Sequence, residues 1–151
     1  MDLRVTWHKP VKLRKSRPGS TYIYELDLDN VPDKPGVYIF MRKFGNNLNP
    51  LYVGKAQNLK TRIGQQLVAL KLMKGLENAE IGSRALVFGE FLARPGQSED
   101  RCLLLIEKAL IRHFLSEGHD LLNKVGTRIA TKHSLTSQKV VRHFLPHRIR
   151  F

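Results

Sequence analysis

The chain has little of what crosslinks or anchors a protein. Its 151 residues include one cysteine, so no disulfide can form within the chain. Because Cys102 lies in an apolar run, we interpret it as a small buried residue rather than a reactive thiol. No run approaches the roughly 18 to 20 apolar residues that span a bilayer, and no apolar block follows the N-terminus. We therefore expect a reduced, cytoplasmic protein without a membrane segment.

Acidic residues are scarce relative to basic ones. The chain has 26 Lys and Arg against 13 Asp and Glu, which gives a formal net charge of +13. Such an excess attracts polyanions over long distances, so nucleic acid is the expected partner. An anionic membrane surface and packing within a ribosome stay open as alternatives at this stage. The hydrophobic content of 42% is enough to build the core of one domain.

Residues 1–34 are predicted to form a basic N-terminal arm. The first twenty residues mix cations with Pro and Gly and follow neither a helical nor a strand period. Apolar residues then alternate with others over residues 22–28, which predicts a short edge strand. We expect four cations of this arm to contact nucleic acid: Lys12, Arg14, Lys15 and Arg17.

Two apolar runs predict an antiparallel β-hairpin. The first covers residues 37–41 and follows a turn, and the second covers residues 51–54. Pairing positions whose numbers add up to about 90 places Tyr38 opposite Tyr52, with both phenols on one face. A third strand is predicted over residues 84–92.

Helical periodicity predicts two amphipathic helices. One begins after Asn58, a favoured N-cap residue, and ends near Gly75. The other begins at Ser98 and runs through Leu115, with Gly118 as its stop. These helices would flank the predicted strands.

The C-terminal segment, residues 124–151, is predicted to pack on the core as a second basic extension. A closing strand is expected at about residues 140–144. Lys139, Arg142 and Arg148 form either a patch that grips a nucleic-acid backbone or a solvated edge strand.

Glu107 stands out because it lies within the apolar arc of the second helix. At about 100° per residue, its side chain falls between Leu103 and Ile111. A carboxylate on a buried face needs a cation, a hydrogen-bond donor or a proton. Glu107 reaches the rim, or pairs with a neighbouring arginine, or binds a hard divalent cation such as Mg²⁺.

Other polar residues also have both a structural and a functional interpretation. Arg62, on the shoulder of the first helix, is either a solvated side chain or a phosphate ligand. Tyr38 and Tyr52 are either half-buried packing or phenols that face a basic cleft, where Lys55 and Arg62 would favour the phenolate. Asn123 is either a turn residue or an amide that fixes the local backbone.

Three segments together resemble the signature of the GIY-YIG nuclease superfamily. They are residues 35–38 (Pro-Gly-Val-Tyr), 51–54 (Leu-Tyr-Val-Gly) and 55–62 (Lys-Ala-Gln-Asn-Leu-Lys-Thr-Arg). The order continues with a glutamate on a helix, Glu107, and a downstream asparagine, Asn123. Over residues 35–123 the sequence is similar to the form found in the N-terminal nuclease domain of bacterial excision-repair endonucleases.

The resemblance implies an α+β fold, with a small three-stranded antiparallel sheet flanked by helices and short basic extensions at both ends. It also implies one Mg²⁺ or Mn²⁺ ion, held by Glu107, and hydrolysis of a phosphodiester. Tyr38 would activate the attacking water. Tyr52 and Lys55 would orient the phosphate or tune that phenol. The remaining roles are transition-state stabilisation by Arg62 and bracing of the site by Asn123.

Three features depart from the family pattern. Val37 and Val53 stand where the family name has isoleucine, which exchanges one β-branched residue for another. Asn123 follows Glu107 by 16 residues, a longer interval than the family usually has. The segments outside residues 35–123 match none of the partner domains that usually supply a target.

We expect a Mg²⁺-dependent endonuclease that acts on nucleic acid, on DNA in preference to RNA, with Lys60 among the residues that contact the backbone. The alternative is a module of the same origin that binds nucleic acid without cutting it. A basic structural protein is a third possibility. The sequence leaves open the biological role, the specificity, and whether the protein is a monomer or a homodimer.

Overall fold

The computed structural model describes residues 2–123 and 134–150. Its strands are β1 (Asp2–Trp7), β2 (Val11–Lys12), β3 (Arg14–Lys15), β4 (Tyr24–Glu25), β5 (Gly36–Phe44), β6 (Asn47–Ala56), β7 (Ser83–Phe91), β8 (Ser134–Thr136) and β9 (Arg148–Arg150). Its α-helices are α1 (Leu59–Leu67), α2 (Leu70–Glu77) and α3 (Glu99–Ser116). Within those described ranges, no helix combines the length and the apolar content needed to traverse a bilayer.

The central sheet is larger than the resemblance implied. In the described part of the chain it has seven strands, in the order β6, β5, β7, β1, β8, β9, and β2 pairs with the length of β7 that β1 leaves free. The sheet is mixed because β1 and β8 run parallel, and it curves as a half-barrel. The predicted small three-stranded antiparallel sheet was therefore wrong. Its three strands, β5, β6 and β7, form only one part of the sheet.

Strand β1 lies in the segment that we predicted as an arm. Leu3, Val5 and Trp7 are buried, while Arg4 and Thr6 are exposed, which is the alternation of a half-buried strand. The sequence pattern did not predict this six-residue strand, because the cations and prolines that follow it dominate the composition of the first twenty residues. The predicted edge strand at residues 22–28 is also shorter than expected, since pairing is limited to β3 and β4.

The predicted hairpin forms, but with a different register. Tyr38 pairs with Gly54 and Phe40 pairs with Tyr52, so the predicted pairing of Tyr38 with Tyr52 was wrong by two residues. A bulge at Met41, facing Pro50, shifts the register again toward the hairpin tip. Because side chains alternate with a period of two, the even shift leaves both tyrosines on the same face.

Two apolar clusters cover opposite faces of the sheet. On one face, α3 packs against a cluster to which β1, β5, β6, β7, β8 and β9 contribute. On the other face, α1 and α2 pack against a cluster that includes Tyr38, Phe40, Leu86 and Phe88. The edge strand β6 therefore lies between α1 and α3 and contacts both helices.

The helices follow the predictions only in part. The span of α3 confirms the predicted second helix. The Asn58 side chain caps α1 by accepting the Thr61 N–H at 3.1 Å, as expected. The first helix was predicted as one element to Gly75. Instead, α1 ends at Leu67 and a separate helix, α2, begins at Leu70, whose side chain is exposed. The predicted closing strand at residues 140–144 was wrong, because a 3₁₀ turn forms at Lys139–Val141.

Candidate active site

Three charged residues predicted for the site converge at the β6 edge of the sheet. Lys55 lies near the end of β6, Arg62 lies on α1, and Glu107 lies on the facing helix α3. The charges of both cations act on the Glu107 carboxylate, and the Lys55 backbone N–H hydrogen-bonds to it. The site therefore forms where the two layers of helices meet at the edge strand.

Glu107 is a partly buried carboxylate that forms no ion pair with the residues that the structure describes. Burial raises the pKa of its carboxyl group, and the Lys55 ammonium, the Lys55 backbone N–H and, with smaller effects, the charges of Arg62 and Lys108 oppose that rise. Among residues 2–123 and 134–150, no cation lies within 4.0 Å of this carboxylate. The structural alternative, in which Glu107 is locked to an arginine, is therefore not what the described residues show.

The two predicted tyrosines lie side by side on the α1 face. Their ring centroids are 6.4 Å apart, with an angle of 24° between the rings. Tyr38 is only 1% exposed, whereas Tyr52 is half-buried. Burial raises the pKa of the Tyr38 phenol, while hydrogen bonding by Gln66 and the charge of Arg62 oppose that rise. Tyr52 is thus the more accessible of the two phenols.

Gln66 is a site residue that sequence reasoning missed. Its side chain is buried on α1, and its Nε2 donates to the Tyr38 hydroxyl at 2.7 Å and to the Tyr52 hydroxyl at 3.3 Å. One amide group therefore ties both phenol oxygens to the helix that carries Arg62. A signal was available, because Gln66 lies only about 20° from Leu59 around α1, at the border of the apolar stripe.

Gly54 allows the tyrosine pair to form. A Cβ atom at this position would lie 2.2 Å from the Tyr38 Cζ and 2.4 Å from its hydroxyl oxygen. The Tyr38 ring thus crosses directly over the β6 backbone, and only glycine leaves room for it. The glycine of the second signature segment therefore has a local packing reason in this chain.

Both polar atoms of the Asn123 side-chain amide form hydrogen bonds with the backbone of β6. Its Oδ1 accepts the Val53 N–H at 3.1 Å, and its Nδ2 donates to the Val53 carbonyl at 2.5 Å. Leu122 adds a backbone hydrogen bond to Leu51 at 2.7 Å. The chain after α3 thus runs along the edge of β6 and holds the strand between Tyr52 and Lys55.

A cleft of about 680 Å³ adjoins the charged residues. Lys55 and Arg62 line it together with polar side chains at the start of α1, and the apolar surface of Leu103 and Leu104 also contributes to its wall. The lining does not include Glu107, Tyr38 or Tyr52. The cleft therefore lies beside the phenol pair and does not enclose it. Arg101 and Asp100, at the start of α3, complete the charged part of the lining.

The cations predicted to contact nucleic acid are spread over several surfaces. Lys12 lies on β2, Arg14 and Lys15 lie on β3, and the Lys15 ammonium is 2.7 Å from Glu77. The others are Arg17 in a turn, Lys60 on α1 with its ammonium 3.7 Å from Asp33, Lys139 in a 3₁₀ turn, Arg142 beside His147, and Arg148 on β9. Lys60 is the member of this set that lies on the same helix as Arg62.

The donor set at the β6 edge restricts which metal ion fits. In the described residues, no group of three or more His, Cys, Asp and Glu side chains is placed to hold a metal. Glu107 nonetheless offers carboxylate oxygen that no side-chain cation neutralises at short range. Mg²⁺ fits this chemistry because it binds through one or two carboxylates and substrate phosphate while keeping several waters. Zn²⁺, which prefers several nitrogen or sulfur ligands, does not.

Comparison with known proteins finds short similarities to one kind of protein. The chain is 56% identical over 36 residues to UvrABC system protein C of Petrotoga mobilis and 55% identical over 42 residues to that of Aquifex aeolicus. These matches cover 24% and 28% of the chain but only 6% and 7% of the relatives. The protein of the same name from Clostridium acetobutylicum is 50% identical over 42 residues. No protein-family model and no solved structure matches the chain.

Proposed function

We propose that the chain is a metal-dependent endonuclease of the GIY-YIG superfamily. One observation carries the proposal, namely the convergence of the unpaired Glu107 carboxylate with Lys55 and Arg62 beside a buried phenol pair. The short matches to UvrABC system protein C support a nuclease-related role in nucleic-acid processing. A purely structural domain has no use for a partly buried carboxylate that makes no ion pair with the described residues, on a helix face that packs on the core.

In this proposal Glu107 holds one Mg²⁺ or Mn²⁺ ion. The bound ion would supply Lewis-acid stabilisation of the phosphate oxygens and of the departing oxygen. Burial around Glu107 keeps the carboxylate poorly solvated, which makes the ionised form costly until a cation arrives. The neighbouring cations keep the phosphate close to that carboxylate.

Lys55 and Arg62 are proposed to bind the scissile phosphate. Both side chains are exposed, and both line the cleft beside the β6 edge. Among the described residues, neither has a carboxylate within 4.0 Å. Arg62 offers a planar group with several donors that suits the growing charge of the transition state, and Lys55 adds a compact charge.

The phenol pair is proposed to activate water, with a change in the role of each tyrosine. The resemblance gave water activation to Tyr38, but burial favours the neutral form of that phenol. We assign water activation to Tyr52, which is more accessible, and assign to Tyr38 the support of the Tyr52 ring. Gln66 donates to both phenol oxygens and thereby fixes the Tyr52 hydroxyl beside Tyr38.

The proposed reaction is a hydrolytic displacement at phosphorus. Water oxygen forms the new P–O bond, and the proton that it loses passes to the Tyr52 phenolate. The bond from phosphorus to the departing oxygen breaks, and that oxygen takes a proton from solvent. Arg62 and Lys55 stabilise the extra negative charge on the phosphate oxygens in between.

The decisive experiment compares Glu107→Gln with Glu117→Gln, a matched change at an exposed residue that follows the same helix. Supercoiled plasmid, linear duplex DNA and RNA are incubated with each protein, with and without Mg²⁺. We expect Mg²⁺-dependent cutting of DNA by wild type and by Glu117→Gln. We expect a loss on the order of 10³-fold in Glu107→Gln, with binding retained. Undiminished cutting by Glu107→Gln would refute the assignment, and binding without cutting by wild type would identify the non-cutting module.

A further inference from the structure

In residues 2–123 and 134–150, no helix covers the other half of the sheet face that carries the tyrosines. Helices α1 and α2 cover this face at β5, β6 and β7. On β1, Arg4 and Thr6 point to the same side as Phe88, because Thr6 pairs with Glu90, two residues further along β7. On the same face, Arg4 pairs with Thr136 on β8, and Thr136 pairs with Arg148 on β9. Both arginines are exposed.

A second cavity, of about 570 Å³, lies on this open face beside the loop that follows β7. Three cations line it, Arg4, Lys34 and Arg94, together with the hydroxyl-bearing Thr6. Its one carboxylate is Glu90, whose Oε2 is 2.7 Å from the His8 Nε2. The lining is therefore basic and rich in hydrogen-bond donors.

The donors in this cavity are free to bind an anion. The Arg4 Nε donates to the Asp2 carboxylate at 3.0 Å, which leaves the terminal nitrogens of a side chain that is 66% exposed. Lys34 and Arg94 are exposed, and neither has a carboxylate within 4.0 Å in the described parts of the chain. A guanidinium group and an ammonium group converging in this way suit a phosphate.

A row of paired residues across the sheet links the cavity to the proposed cut site. Ala56, Gly36, Glu90 and Thr6 lie on one row across β6, β5, β7 and β1, and Lys55 directly precedes Ala56. Strand spacings of about 4.8 Å put the cavity about 15 Å from the β6 edge, measured across the sheet. At 3.4 Å of rise per base pair, this distance corresponds to about four base pairs of duplex.

We propose that the cavity lined by Arg4, Lys34 and Arg94 binds a backbone phosphate of the nucleic acid, about four base pairs from the cut. This proposal rests on nucleic acid as the substrate, and it deepens the proposed function by assigning a second contact point. Arg148, two strand spacings further on, extends the same basic path. The site recognises the phosphodiester backbone and not the bases, because its lining offers cations at an exposed surface.

The test measures binding without cutting, in a Glu107→Gln background. Lys34→Ala/Arg94→Ala is compared with Lys71→Ala/Arg112→Ala, which removes the same charges from exposed positions on α2 and α3. Binding of a labelled 30-base-pair duplex is followed by fluorescence anisotropy between 50 and 300 mM salt. We expect the first pair to raise Kd about tenfold at 100 mM salt and to reduce the salt slope by about 0.9, because one phosphate contact is lost. The control pair should change Kd less than threefold.

Two further measurements define the ligand. Duplexes that end progressively closer to the mapped cut should lose affinity on one side when fewer than about four base pairs remain, and the Lys34→Ala/Arg94→Ala protein should not show this step. Inorganic phosphate at 10 mM and constant ionic strength should not displace the duplex. Equal losses in both double variants, no length step, or displacement by phosphate would each overturn the proposal.

Failure of this proposal is distinguishable from failure of the proposed function. A wild-type enzyme that cuts DNA, but binds it equally well without Lys34 and Arg94, would keep its nuclease assignment and lose the second contact point. A wild-type protein that never cuts, but whose binding depends on Lys34 and Arg94, would show the reverse. Thermal melting of both double variants confirms that exposed substitutions leave the fold intact.

Discussion

The two faces of the sheet differ in what they bury. The face under α3 is lined by aliphatic and aromatic side chains, and Ser137, whose Oγ lies 3.3 Å from the Trp7 indole nitrogen, is its buried polar residue among those described. The face under α1 and α2 buries Gln66, Arg84 and the Tyr38 phenol. Every one of these groups has a hydrogen-bond partner.

The difference indicates that the α3 face mainly stabilises the fold, whereas the face under α1 and α2 also carries groups for the proposed reaction. Buried polar groups are costly unless they are satisfied, so a face that concentrates them needs a local reason. Arg84 has a structural reason, because it donates to the carbonyls of Leu76, Ala79, Glu80 and Gly82 and thereby caps the end of α2. Gln66 instead holds two phenols beside a cleft, which points to a role in reaction rather than in folding.

The largest expected effect is a loss of stability on the α3 face. Leu135 on β8 is fully buried, so Leu135→Ala should lower the free energy of unfolding by about 2–5 kcal/mol. Cutting per folded molecule should stay near the wild-type rate, since β8 lies far across the sheet from β6. Urea titration and a nuclease assay below the midpoint check both points. A loss under 1 kcal/mol would show that the outer strands do not stabilise the core.

The second effect is a loss of activity on the α1 face. Gly54→Ala places a methyl group within the Tyr38 ring, which should displace the phenol pair and lower the rate of cutting about 10²-fold. The crowding should also cost about 1–3 kcal/mol. Gly64→Ala on α1 is the control, because its Cβ would meet only the end of the Leu28 side chain, at 3.3 Å. Equal rates for the two variants would contradict the role given to Gly54.

The third prediction compares the loss of one buried polar side chain from each face of the sheet, Gln66 under α1 and Ser137 under α3. Gln66→Met removes the donor shared by Tyr38 and Tyr52 and should lower the rate about tenfold, with a changed pH profile of cutting. Ser137→Ala removes a buried hydrogen bond on the α3 face and should cost about 1 kcal/mol of stability without changing that profile. If both variants only lose stability, the division between the faces fails.

The smallest expected effect is a gain in stability at Glu107. Its raised pKa means that the folded state favours the protonated form, so the stability from this group is full below the usual pKa of 4.5 and is lost as pH rises through the folded pKa. In EDTA at neutral pH, Glu107→Gln should therefore be more stable by about 0.5–1 kcal/mol. Melting curves at pH 7 and below pH 4 check this, because the gain should vanish in acid. Mg²⁺ should stabilise wild type and not the variant.

The sequence predicted those elements whose local pattern is long and regular. The α3 helix and the strand β7 lie within a residue of their predicted bounds, because α3 buries residues at a helical period and β7 is an almost continuously buried run. The hairpin was found, but its register depended on a bulge that the sequence does not mark. Strands β8 and β9 are each three residues long, too short to show a period, and their burial depends on distant partners.

The candidate site was predictable where a polar residue interrupts an apolar face. Glu107 was found in this way, whereas Gln66 lies at the border of the apolar stripe of α1 and interrupts it less clearly. The contacts of Asn123 with Val53 join residues 70 positions apart, so only the folded chain shows them. The relative burial of Tyr38 and Tyr52 also depends on how α1 packs, which no local pattern specifies.

The amide pairing at the β6 edge has a consequence for self-association. An uncovered outer strand presents free N–H and carbonyl groups that recruit strands from other molecules and begin aggregation. Asn123 and Leu122 occupy such groups at Val53 and Leu51, in the stretch next to Tyr52. A second molecule therefore cannot extend the sheet there without first displacing that segment. The same few hydrogen bonds that hold the strand still also protect it from intermolecular β-pairing.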